Sequence, residues 1–78
     1  MKDEASIREY LRKHIPLWYK AASKKGIPMN MDHYIGLAFY NTGIRGIKSI
    51  VREEVQLAVE RMAIPRPGTI LRNPQNLN

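Results

Sequence analysis

Apolar residues recur along this chain with a helical period, and the strict alternation of a half-buried strand is missing. The first pattern is Ile7, Leu11, Ile15, Trp18 and Ala22, spaced four, four, three and four. It passes Pro16 without losing phase. Proline lacks a backbone donor and clashes with the carbonyl four residues back, here that of Arg12, at a cost of about 3 kcal/mol in a helix interior. One kinked helix over residues 4–25 satisfies the pattern, as do two shorter helices with Pro16 opening the second. The unbroken phase favours the kinked helix. Asp3 suits its N-cap and Glu4 its first turn, while Gly26 supplies a left-handed stop beside Lys24 and Lys25.

The second pattern follows "GIPMN". Asn30 is the expected N-cap and Asp32 lies in the first turn; Met31, Tyr34, Ile35, Ala38 and Phe39 share a face that ends at Gly43. The third is the clearest: Ile44, Ile47, Val51, Val55, Ala58, Val59 and Met62 form one stripe, widened by Ile50 and Leu57. A stripe wider than about 100° implies burial on more than one side, so this helix is expected at the centre of a bundle or in a protein interface. The last fourteen residues hold three prolines, three asparagines and Gly68, which exclude a helix. The predicted architecture is all-α: a small bundle of three helices (four if Pro16 breaks the first) over residues 1–64, then an extended Pro-rich C-terminal arm over 65–78.

Length changes this picture little. A chain of 78 residues has room for one core, which buries roughly 60–65% of its unfolded surface. A hydrophobic content of 44% suffices for such a core and is too high for a disordered chain. With no cysteine, neither a disulfide nor a thiolate zinc site can brace it. Trp18 is read as a core anchor and the four tyrosines as half-buried with wet hydroxyls. The apolar runs are too short to span a bilayer, and "MKDEASIREY" carries acids where a leader would be apolar. The expected setting is the cytoplasm or the inside of a nucleoprotein particle.

Candidate chemistry is sparse. His14 falls on the buried side of the first helix and His33 beside a helix start, both positions where histidine serves structure more often than catalysis. No G-x-S-x-G, H-E-x-x-H or paired aspartates occur. "GIRGIKS" lacks phosphate-loop spacing; Gly43 reads as a helix cap and Gly46 as a site of close packing. A non-enzymatic protein is expected, with no metal, no cofactor and no small-molecule substrate.

Charge adds the strongest functional signal. Thirteen Lys and Arg against seven Asp and Glu give a net +6, a field that draws polyanions. Residues 1–26 hold seven of the cations and three of the acids. At roughly 100° per residue, Arg8 and Arg12 fall on one flank of the first helix and Lys13, Lys20 and Lys24 on the other, all away from the apolar stripe. Arg45, Lys48 and Arg52 form a second set at the start of the third helix, where cations oppose the dipole and find no acid nearby. "LAFYNTGIRGIKSIVREE" has the layout of a helix-turn-helix with a three-residue turn. Phe39 and Ser49 depart from that pattern, and the likeness is one of layout alone.

These readings point to a small basic nucleic-acid-binding protein, DNA placed ahead of RNA, whose first helix and the start of whose third grip phosphates. A compact regulator and a genome-coating protein both fit. The alternative is an assembly or adaptor subunit, a homo-oligomer or part of a larger assembly, binding protein neighbours through Ile50 and Leu57 of the third helix and Ile70 and Leu71 of the arm. A membrane partner is disfavoured, because the apolar stripe of the first helix is needed for the core.

Overall fold

The computed structural model describes residues 3–67 and contains three helices: α1 (Glu4–Lys24), α2 (Met31–Thr42) and α3 (Lys48–Glu60). No strand occurs among the described residues. α3 packs on both α1 and α2, which touch each other far less, so the expected central position of the third helix holds. Its buried face contributes Val51, Val55 and Ala58, with Ile47 just ahead of it. Ile7, Leu11 and Ile15 face it from α1, and Tyr34 and Ala38 from α2.

α1 is one helix of 21 residues with Pro16 inside it, about 31 Å long. The carbonyl that Pro16 leaves without a donor belongs to Arg12, an exposed residue, so water can satisfy it. Asp3 caps the helix by accepting the Ser6 N–H at 3.1 Å and the Ser6 hydroxyl at 3.0 Å. These bonds, the backbone one foremost, hold the Asp3 carboxyl below its ordinary range. At the other end Gly26 takes φ 70° and donates to the Ser23 carbonyl, while the Ile27 N–H reaches the Ala22 carbonyl. This is a Schellman closure. α2 opens with a reciprocal box: the Asn30 side chain accepts the His33 N–H at 2.9 Å, and the Asn30 N–H donates to His33 Nδ1 at 3.1 Å. His33 is thereby a capping residue.

Five expectations need correction. Met62 is 89% exposed, outside the stripe assigned to it. α3 stops at Glu60, and Met62 adopts φ 65°, which swings its side chain outward and lets Ile64 fold back into the core. Phe39 is half exposed because the buried face of α2 centres on Tyr34 and Ala38, about 100° round the helix from it. Gly46 has no neighbour where a Cβ would stand, so its role is backbone at φ 75°, not close packing. Tyr34 is fully buried, Tyr40 is 85% exposed, and only Tyr10 and Tyr19 are half-buried as expected. Trp18, read as a core anchor, does pack against the core but stays only half-buried at its rim. Of the Pro-rich arm, Pro65 to Pro67 are described and non-helical; the rest of it lies outside the described residues.

Two stability measurements test this description. The α3 terminus repeats the closure of α1, with Met62 donating to Val59 and Ala63 to Ala58, but with a methionine in the glycine position. A left-handed non-glycine residue costs about 1–2 kcal/mol, partly offset by the entropy glycine regains on unfolding. Met62→Gly should therefore gain about 0.5–1 kcal/mol, raising Tm by roughly 2–8 °C. A Tm that falls would contradict the assigned backbone. Burial, with the nearby Tyr19 adding to it, pushes the Tyr34 phenol up to about 12. The unfolded chain ionises near pH 10 and then binds fewer protons than the folded one. Stability from this group is thus complete below pH 10 and lost between pH 10 and 12, about 2–3 kcal/mol in all. Urea midpoints of Tyr34→Phe should decline less over that window than those of the parent; parallel declines would refute the assignment.

Candidate nucleic-acid interface

The expected cationic residues separate into three groups. Lys13, Lys20 and Lys24 are exposed and lie seven and four residues apart, which places them in one row on the side of α1 opposite Ile7, Leu11 and Ile15. The row runs about 16 Å along the helix. None of these lysines has a carboxylate within ion-pair distance among the described residues, where the only ion pairs are those of Arg8. Glu9 shares this side of the helix, and even its i,i+4 neighbour Lys13 makes no ion pair with it. Arg12 is also exposed and unpaired, on the flank between this row and the α3 side.

Arg8 stands apart. Its guanidinium donates to Glu4 at 2.9 Å, to Glu53 at 2.7 Å and to Glu54 at 3.0 Å, stitching α1 to α3. Bonds to Glu53 first, then Glu4 and Glu54, raise its already high pKa further. Its charge is thus balanced within the fold, where the sequence suggested a cation facing outward. Glu54 is 2% exposed, and its Oε1 has no hydrogen-bond partner. Sequence reasoning missed it, although a signal was present: Glu54 lies in phase with Val51 and Ala58, and a carboxylate on an apolar stripe requires a cation.

Arg45, Lys48 and Arg52 are exposed and likewise unpaired among the described residues. Ile47 occupies the N-cap of α3 without a side-chain bond, and the first turn holds no acid, so the dipole end there faces cations alone. The edge of α3 that meets α1 is the acidic one, Glu53 and Glu54, and Lys48 and Arg52 stand round the helix from it. The second set is therefore a separate surface from the α1 row. The α2–α3 connection also departs from a helix-turn-helix: residues 43–47 link the helices, not three, and α3 buries the face a reading helix would need. Of the residues expected to bind proteins, Ile50 packs partly on the core and Leu57 is 36% exposed; Ile70 and Leu71 lie outside the described residues.

A half-buried aromatic ladder on α1 was not anticipated as a unit. Tyr10 and His14 stack with centroids 4.0 Å apart, and His14 tilts against Trp18 at 5.9 Å. His14 Nδ1–H donates to the Tyr10 carbonyl at 2.9 Å, which fixes its ring as part of the ladder. No group of side chains suited to hold a metal occurs among the described residues, and no described helix is long and apolar enough to cross a membrane. Comparison with protein-family models, curated proteins and solved structures finds no match to this chain.

Removing the cation from a buried carboxylate is more damaging than removing an exposed carboxylate from a cation. Arg8→Met should accordingly lower Tm more than Glu4→Gln or Glu53→Gln, and adding Glu54→Leu to Arg8→Met should recover most of the loss. An Arg8→Met protein as stable as the parent would show that the clamp contributes nothing.

Proposed function

We propose that this is a small non-enzymatic nucleic-acid-binding protein that grips phosphates through the outer row of α1, with Arg45, Lys48 and Arg52 as a smaller second contact. One observation carries this reading: Lys13, Lys20 and Lys24 stand unpaired on the exposed side of α1, while three of the chain's seven acids gather around Arg8 at the α1–α3 seam. Flexible cations on one exposed face are what a phosphate backbone requires, since each contact releases condensed counterions. A compact regulator or a genome-coating chain, in the cytoplasm or within a nucleoprotein particle, would use such a face. DNA is the first partner to test.

The assembly reading keeps one specific support. Phe39, Tyr40, Leu57 and Met62 are exposed at 50%, 85%, 36% and 89%, and such side chains suit a protein neighbour. Sedimentation of the free protein as a multimer would favour it, and a strict monomer would count against it.

Titration with DNA across salt concentrations tests the main proposal. Affinity should fall as salt rises, with a log–log slope of roughly 0.9 per duplex phosphate neutralised and 0.7 per single-strand phosphate. Changing Lys13, Lys20 and Lys24 together to Ala should weaken binding alike for all base sequences and cut the slope by about 2–3. Because these lysines make no ion pair in the fold and repel one another, the variant should match or exceed the parent's Tm. Absence of binding at low salt would end this reading.

A further inference from the structure

Near the Lys24 end of the cation row, α1 forms one wall of an apolar recess. Trp18 and Ala21 supply the helix side, Ile27 and Met29 the connection to α2, and Leu37 the far side, with Lys25 at the rim. The recess measures about 250 Å³, below the roughly 300–1,000 Å³ of pockets that take drug-sized molecules, so it suits a single ring system. Ile27 is half exposed, leaving the recess without a full apolar cover among the described residues. The indole is held from its N-terminal side by His14 and Tyr10, so the wall it presents toward Ala21 is already ordered before anything binds. Lys24 and Lys25 lie three and four residues beyond Ala21, both exposed and free of ion pairs among the described residues.

We infer that the recess beside Trp18 receives one unstacked base of a single nucleic-acid strand, whose flanking phosphates meet Lys24 and Lys25. This rests on the phosphate-binding reading and adds to it the form of the ligand. A planar π-face against an aromatic wall, with cations tracking the backbone, is how sequence-tolerant single-strand binding is built. A duplex keeps its bases stacked and can offer one only by unstacking it. The neighbouring cations favour this occupant over an uncharged apolar segment, which would gain nothing from Lys24 and Lys25.

Two strands of equal length and charge separate the contributions: an oligothymidylate, and a strand whose sugars carry no bases. Trp18 is the sole tryptophan and reports on the recess directly. The thymidylate should bind roughly tenfold or more tightly than the baseless strand at low salt, and should alone quench the indole. Ala21→Leu, which fills the recess from an exposed helical position, should lower thymidylate affinity to that of the baseless strand while leaving the salt slope unchanged. Equal affinity of the two strands for the parent overturns this inference, assigns the recess to another occupant and leaves the phosphate reading intact. A base-dependent gain without quenching, or one that survives Ala21→Leu, also overturns it, because the base then sits elsewhere. If neither strand binds at low salt, both readings fall.

Discussion

The contact between Arg8 and Glu54 is the constraint on which the arrangement of this protein turns. Glu54 sits in the apolar stripe of α3, two per cent exposed, where a lone carboxylate would be untenable. Its Oε2 meets Arg8 at 3.0 Å, and the same guanidinium reaches Glu53 and Glu4. A buried pair of this kind seldom adds much net stability over an apolar pair of the same shape. What it favours is register, since a docking of α1 that moved Arg8 away would leave the Glu54 carboxylate buried and unpaired. With Arg8 fixed toward α3, the helical period turns Lys13, Lys20 and Lys24 to the opposite side of α1. One contact therefore sets both the packing of the bundle and the direction in which its positive charge faces.

The helix ends show how closely the small core is drawn. α1 and α3 close with the same pair of backbone bonds, yet one uses Gly26 at the left-handed position and the other Met62. The second choice carries strain, but the reversal it makes returns Ile64 to the core at 4% exposure. In a chain of this size one further buried aliphatic side chain is worth about 1.5–3 kcal/mol, enough to outweigh the strain. The α2–α3 connection works alike, with Gly43 and Gly46 at positive φ delivering Ile47 into the core ahead of α3. Both reversals are thus linked to a buried isoleucine.

Much of this fold was legible because its signals are local. The 3.6-residue period located all three helices; Asp3, Asn30, Gly26 and Gly43 marked caps; and the phase preserved across Pro16 anticipated a single α1. The departures all depend on where the chain goes next in space. Met62 fits the α3 stripe only if the helix continues past Glu60, and the gain from burying Ile64 stops it there. Phe39 and Ala38 are adjacent in sequence, and which of them faces inward depends on how α2 is rotated against α3. For the candidate interface, the Lys13, Lys20 and Lys24 row was readable from spacing alone. The withdrawal of Arg8 from the exposed cations was not, since its two partners on α3 lie 45 and 46 residues away.

The described basic residues therefore fall into two kinds with different physical roles. Arg8 belongs to the fold, while the lysines of α1, with Arg45, Lys48 and Arg52, make no ion pair among the described residues. Like charges held near one another raise the free energy of the compact state, and a small domain with a narrow stability margin has little reserve to absorb that. Pairing the exposed lysines with acids would relieve the repulsion, yet those of the row have none in contact, and three of the seven acids are committed to Arg8. A bound polyanion relieves the same repulsion from outside. It would neutralise the row in the folded chain, where the cations are aligned, more effectively than in the unfolded chain, where they are dispersed, and so stabilise the fold by linkage. On the proposed reading, the cost of leaving this face unpaired would be borne by the free protein and removed by a bound polyanion.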